Sequence, residues 1–157
     1  MKIKLIVVGK TTDRNLAELI DEYSNRLKFY VTYELLIIPE LKNAKNLTPE
    51  QQKEKEGIAI LAKLEKLDEV ILLDDKGKEF TSVNFAAFLS NKMLFSNKSM
   101  IFVVGGPYGF SQPVYQRADS LFSLSKMTFS HQMIRLIFTE QLYRAMTIIK
   151  GEPYHHE

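Results

Sequence analysis

The chain has 157 residues, 45% hydrophobic and 25% charged, an ordinary globular mix that suits one domain over residues 1–157. No apolar run reaches about eighteen residues, the opening MKIKLIVVG is too short for a secretory leader, and cysteine is absent. This argues against a membrane-spanning helix, a disulfide framework and a thiolate metal site, and makes a cytoplasmic address the default. A net charge of +2 and a pI near 8.7 are too weak to argue for nucleic acid by charge alone.

Residues 3–8 form a short apolar run, broken only by Lys4, the pattern of a strand covered on both faces, and Gly9 ends it. Asp13 is placed to cap a helix whose Leu16, Leu19, Ile20, Tyr23 and Leu27 recur at helical spacing. A second strand over 33–38 stops at Pro39, and residues 41–47 read as a mobile surface loop. Thr48-Pro49-Glu50-Gln51 is a helix start, with a capping threonine, proline in the first turn and glutamine in the capping-box position. That helix is expected to reach about Lys66, with Ile58, Leu61 and Ala62 inward and its KEKE stretch solvated. A third strand over 69–73 leads into Asp74-Asp75-Lys76-Gly77, read as a turn. A helix follows from Thr81 or Ser82, then a strand over 100–104, a short helix from Ser111, a strand over 121–124 and a last helix over about 131–149. Strands and helices alternate throughout, which predicts an α/β fold with a parallel sheet flanked by helices.

In such folds ligands bind beyond the carboxyl ends of the strands, and three of those ends carry candidate chemistry. The aspartate pair at 74–75 suggests a metal, but no further carboxylates cluster with it, and a solvated turn is favoured. Gly105-Gly106-Pro107-Tyr108-Gly109 is either a tight turn or a bend that lets a ligand approach the backbone. It has neither the Gly-Lys-Ser/Thr of a phosphate loop nor dinucleotide-type glycine spacing. The third end, Ser123-Leu124-Ser125-Lys126-Met127-Thr128-Phe129-Ser130, offers amides and hydroxyls for an adenosine moiety, with Leu124 and Met127 beside the base. Alternatively it is only the approach to a helix capped by Ser130. The two ends in 101–130 are expected to share one pocket, for a methyl donor rather than a phosphate.

The last helix carries Arg135, Thr139, Glu140, Tyr143, Arg144 and Thr147 on a face read as polar. Glu140 and Arg144 are spaced as a surface ion pair. Between Arg117 and Lys150 five basic residues (Arg117, Lys126, Arg135, Arg144, Lys150) meet two acidic ones (Asp119, Glu140), a local excess suited to phosphate contact. The tail GEPYHHE is either a loose end or an arm that sets an aromatic ring and an imidazole over a base. A zinc site from His131, His155 and His156 is the weaker reading, and no metal is expected.

The stretches FVVGGPYGF, SLSKMTFSHQMIRLIFTEQLYRAMTIIKGEPYHH and LLDDKGKEFTS together resemble the RlmH family of small SPOUT methyltransferases, from the opening KIKLIVVGK to the closing PYHHE. The resemblance implies a SPOUT fold with a deep carboxyl-terminal trefoil knot, a homodimer, and S-adenosyl-L-methionine in the knot. It implies methylation of N3 of a pseudouridine in large-subunit (23S) ribosomal RNA, on the assembled ribosome. Matched by motif, the cofactor-binding residues are Leu73, Gly105, Gly106, Leu124, Ser125, Lys126, Met127, Thr128, Phe129 and Ser130. The substrate end is YRAMTIIKGEPYHH. There His155 is the first candidate for the base that removes the N3 proton, with His131 and Glu140 as alternatives. Arg135 and Arg144 would hold RNA phosphates or a developing oxyanion, and Tyr154 would stack on the base. A non-catalytic ribosome-binding module and a small-molecule methyltransferase on the same fold remain open alternatives.

Overall fold

A computed structural model describes residues 1–156; Glu157, the last residue of the expected domain, lies outside them. The elements in chain order are β1 (Lys2–Val8), α1 (Arg14–Leu27), β2 (Thr32–Ile38), α2 (Pro49–Leu61), β3 (Glu69–Glu79), α3 (Ser82–Phe95), β4 (Met100–Val104), α4 (Gln112–Arg117), β5 (Ser120–Ser123) and α5 (Met133–Lys150). All strand pairings are parallel, in the order β2-β1-β4-β3-β5. Every strand therefore points its carboxyl end to the same edge.

Alternation along the strands builds two cores. Ile3, Leu5, Val7, Ile71 and Phe102 meet Leu27 of α1, Phe85 and Leu89 of α3, and Phe138, Leu142 and Ala145 of α5. On the other face Ile6, Val70, Leu72, Ile101 and Val103 meet Ile60 of α2 and Val114 of α4. Burial on both sides explains the unbroken apolar run of β4 and that of residues 5–8 in β1. Phe138 packs 4.6 Å from Phe102, ring centre to ring centre, and Phe85 stacks 4.9 Å from Phe122. Each such ring contributes about 1.5–3 kcal/mol by burial, and together they seat α5 between α1 and α3.

The caps follow the sequence. Asp13 accepts from the Leu16 amide, Thr48 and Gln51 form the capping box, and Thr81 accepts from the Asn84 amide. Ser130 Oγ accepts from the Met133 amide at 3.1 Å, but α5 starts two residues later than expected, with Gln132 and not Ser130 in the N-cap position.

Three expectations need correction. First, α2 ends at Leu61, short of Lys66, and Ile58 is exposed. Its inward line is Glu56, Gly57 and Ile60. The chain then tightens through short turns at Lys63 and Leu64, and Asp68 accepts from the Glu65 amide. The KEKE stretch is thus not wholly solvated, because Glu56 is only 4% exposed. Second, residues 74–77 lie inside β3 as a bulge: Leu73 and Lys78 both pair with Phe122. Asp74 Oδ1 accepts from the Lys76 amide in a local turn, and Tyr115 donates to Asp74 Oδ2. Gly77 is required there, since a Cβ would come within 2.5 Å of the Phe122 backbone nitrogen. Third, the face of α5 read as polar is partly interior: Arg135, Thr139 and Thr147 are fully buried. The polar side chains along that row bond to backbone carbonyls within the fold instead of to water.

Candidate active site

The carboxyl ends of β4, β3 and β5 are neighbours in the sheet, and the chain leaving them encloses a cavity of about 460 Å³. That volume lies in the range of cofactor pockets. Leu73 and the bulge residues Asp74 and Asp75 form one wall. Val104, Gly105, Gly106, Pro107, Gly109 and Phe110 form the second. Phe122 and Ser123 lead into the third, made by Leu124, Ser125, Met127, Thr128, Phe129 and Ser130 and closed by His131 and Ile134.

The second wall is a compact reverse turn. The Gly109 amide donates to the Gly106 carbonyl at 3.1 Å, with Pro107 at the corner and Gly109 at φ 79°. Gly105 packs so closely on Gly109 that a Cβ would meet its backbone at 3.3 Å. At Gly106 a Cβ would fall 2.3 Å from Glu56 Oε2. The third wall holds its shape through Ser123 Oγ donating to the Ser125 carbonyl and the Met127 amide donating to Ser125 Oγ. The result is an apolar floor of Leu73, Val104, Phe122 and Ile134 with hydroxyls and exposed amides above it. Such a lining suits a flat heteroaromatic base and a ribose better than a polyphosphate.

Nine of the ten expected cofactor residues meet at this cavity. The exception is Lys126, which is exposed and does not line it; in a loop that curls around a pocket, one side chain in the run must point outward. Of the six expected catalytic residues only His131 is on the wall. Arg135 is interior. Its Nε donates to the His131 carbonyl, its Nη1 to the Gly9 carbonyl and Thr11 Oγ1, and its Nη2 to the Val8 carbonyl. Burial pushes its pKa down, Glu40 opposing. These bonds tie the start of α5 to the end of β1, so Arg135 presents no guanidinium to a phosphate.

The remaining four form a second centre near the other end of α5. Ten residues separate Ile134 from Arg144, about 15 Å of helix rise. Arg144 Nη2 pairs with Glu140 Oε1 at 2.6 Å, and Tyr154 donates to the same oxygen at 2.9 Å. The Arg144 guanidinium lies 4.8 Å over the Tyr154 ring. Arg144 Nη1 lies 3.3 Å from His155 Nδ1; the arginine must donate, so Nδ1 accepts and a neutral ring carries its proton on Nε2. Burial, then bonds to Tyr23 and Glu140, push the Tyr154 phenol above its ordinary range. Tyr143 packs edge-on to Tyr154 at 4.8 Å, and Tyr30 donates to Glu152. The tail through His155 is therefore held against α1 and α5 and is not loose.

Phe110, assigned no role from sequence, and Asp74 and Asp75, read as a solvated turn, line the cavity, and Glu56 lies behind its Gly106 wall. The signal available for Glu56 was the neighbouring Gly57, since a glycine inside a helix marks a close approach. Its own run of alternating charges disguised it. His131 and His155 stand at opposite ends of α5, so the three histidines do not converge. Among the described residues no group of three His, Asp or Glu side chains is placed to hold a metal ion.

The sequence profile described as "Predicted SPOUT methyltransferase" matches residues 1–155. The chain belongs to the SPOUT methyltransferase family. Full-length relatives agree with that family assignment. The protein named "Ribosomal RNA large subunit methyltransferase H" of Parabacteroides distasonis is 60% identical over 157 residues, all of both chains. Proteins of the same name from Flavobacterium johnsoniae and Bacteroides fragilis are each 56% identical, again over the whole of both chains. As a member of the SPOUT methyltransferase family the chain takes a methyl donor. No helix among the described residues is long and apolar enough to cross a membrane.

Proposed function

We propose that this SPOUT methyltransferase uses S-adenosyl-L-methionine to methylate N3 of a pseudouridine in 23S ribosomal RNA, acting in the cytoplasm as a homodimer on the assembled large subunit. The observation that carries the donor assignment is the cavity where Leu73, the Gly105–Gly106 bend and residues 124–131 meet. The names of the full-length relatives support the RNA. Leu73, Gly105 and Gly106 would back the adenosine, and Leu124, Ser125, Met127, Thr128, Phe129 and Ser130 would wrap it, with Lys126 outward. The bound donor supplies an already activated methyl group. The residues must therefore align it with N3, exclude water and take one proton. Transfer of the methyl would leave the C–S electron pair on sulfur, and a base among the residues would take the proton that N3 loses. Alignment alone contributes several kcal/mol, and a placed base about 10²–10⁴ in rate.

His131 is the imidazole on the cavity wall and our candidate for that base. His155 ranked first on sequence, but here its Nδ1 lone pair is committed to Arg144. We assign the centre of Glu140, Arg144, Tyr154 and His155 to holding the nucleotide. Since it lies about 15 Å along α5 from the cavity of its own subunit, it would serve the cavity of the partner across a two-fold axis. A carboxyl-terminal knot belongs to the same proposal. From β5 at the sheet edge, the chain must cross the β3–α3 connection to bring α5 between α1 and α3, and threading beneath that connection would make the knot.

Incubation with unmethylated 50S particles and labelled donor, followed by mass spectrometry of the RNA, is the direct test. One added methyl on a pseudouridine is expected. Donor binding with no transfer to any RNA would refute the enzymatic reading in favour of a binding module.

A further inference from the structure

Glu56 is the group in the fold whose placement the reaction as described leaves unused. It sits on α2 and is 4% exposed. Gln52 donates to its Oε1 at 2.9 Å, but Oε2 has no hydrogen-bond partner. Buried charges are ordinarily paired, because desolvation of a lone carboxylate is costly. Two adjacent devices nevertheless hold it there. Gly57 lacks the Cβ that would come within 2.2 Å of Ser111 Oγ, which lets α2 lie close against α4. Gly106 lacks the Cβ that would come within 2.3 Å of Glu56 Oε2. Gly106 is part of the cavity wall, so the unengaged oxygen lies directly behind that wall, held close by the absence of a side chain at Gly106.

Among the described residues no donor or cation bonds to Glu56 Oε2. His131 favours the ionised form from the cavity wall and Glu40 opposes it, while the Arg135 guanidinium is spent on the carbonyls of Val8, Gly9 and His131. Burial accordingly pushes the carboxyl pKa up. A cation entering the cavity would supply what the fold withholds.

We infer that Glu56 makes the cavity prefer a cationic methyl donor over its neutral demethylated product, by placing a buried carboxylate behind Gly106 against the sulfonium charge. The inference rests on the reading of the cavity as the S-adenosylmethionine site. Donor and product share adenine, ribose and amino-acid groups and differ by one methyl and one positive charge. Hydroxyls and amides in the loop cannot discriminate on charge; a carboxylate can. Of those near the cavity, Asp74 is already bonded to Tyr115 and the Lys76 amide, Asp75 is exposed to solvent, and Glu56 Oε2 is buried and unengaged. Such a group would favour exchange of spent product for fresh donor.

The test is calorimetric titration of the full chain with S-adenosylmethionine and with S-adenosylhomocysteine, at fixed ionic strength, in wild type and Glu56→Gln. The isosteric amide removes the charge and keeps the volume. We expect the donor Kd to rise about tenfold and the product Kd to change by less than about twofold, as for the loss of one partly buried charge pair. Equal weakening of both ligands, or no weakening of either, overturns the inference. If wild type binds neither ligand, the cofactor reading itself fails and this inference with it. Binding of both with an unchanged ratio in the variant sinks only the role of Glu56. Should Glu56→Gln fail to fold, Glu56→Asp retracts the carboxylate by one methylene, and a smaller but still donor-selective loss is required.

Discussion

Replacing Arg135 by methionine separates the interior role of this residue from the RNA contact that its position in a basic stretch suggested. Arg135 is fully buried and donates to the carbonyls of His131, Gly9 and Val8 and to Thr11 Oγ1, at 2.7–3.1 Å. Arg135→Met keeps most of the stem packing and removes every donor. The Val8 and Gly9 oxygens are then left in the interior, each costing about 1–3 kcal/mol when unsatisfied. Relief of the desolvation of the guanidinium offsets part of this. A net loss of about 3 kcal/mol is expected, which for a domain of this size lowers Tm by about 6–12 °C. Urea unfolding followed by circular dichroism measures the loss directly. The His131 carbonyl also loses its anchor, so donor affinity should fall at temperatures where the variant is still folded. A stability loss below about 1 kcal/mol, with RNA binding alone weakened, would refute the structural reading and return Arg135 to the surface role.

Gly106→Ala sets a methyl 2.3 Å from Glu56 Oε2, displacing the carboxylate or the bend; donor affinity by calorimetry should fall at least about tenfold, a loss of about 1.4 kcal/mol. The pH dependence of stability should change in Glu56→Gln. Burial raises the folded-state pKa of Glu56 above its ordinary 4.5, so its contribution is fully present below 4.5 and lost as pH rises through the higher folded value. The variant should therefore gain on wild type between pH 4.5 and neutrality, read from paired urea titrations; a constant difference would contradict it. If the site is shared between subunits, mixing Gly106→Ala with His155→Ala subunits creates heterodimers with one intact site, and about a quarter of wild-type activity should return for a two-fold dimer. No recovery after verified subunit exchange would confine the site to one chain.

The order of elements was legible because each carries its own local signal. β4 is an unbroken apolar run and β1 nearly one, Asp13, Thr48 and Thr81 are caps that act within three residues, and Gly105–Gly109 marks a bend wherever the chain goes. The wrap from Leu124 to Ser130 was also legible, as a motif. The misreadings share one cause. Arg135, Glu56 and the aspartates at 74–75 are charged residues in charged or turn-forming surroundings, and local rules assign such residues to solvent. Whether a charge is buried depends on what packs against it from elsewhere in the chain. For Arg135 that is the end of β1, more than a hundred residues away; for Glu56 it is a glycine on β4's exit loop. For residues 74–77 the local turn is real, but only the pairing of Leu73 and Lys78 with the same Phe122 turns it into a bulge inside a strand.

Sequence alone therefore determined the α/β alternation and the helix starts, which rest on local spacing that needs no partner, while the methyltransferase family was legible through the resemblance of whole motif stretches. Tertiary structure decided which charges became interior fixtures, and that the cavity at the strand ends and the Glu140–Arg144–Tyr154–His155 centre are separate places along one helix, the first at the start of α5 and the second from its middle onward. The physical reason is that strand order and helix docking, set by burial of the two apolar cores, bring together groups whose separation along the chain carries no trace of their contact.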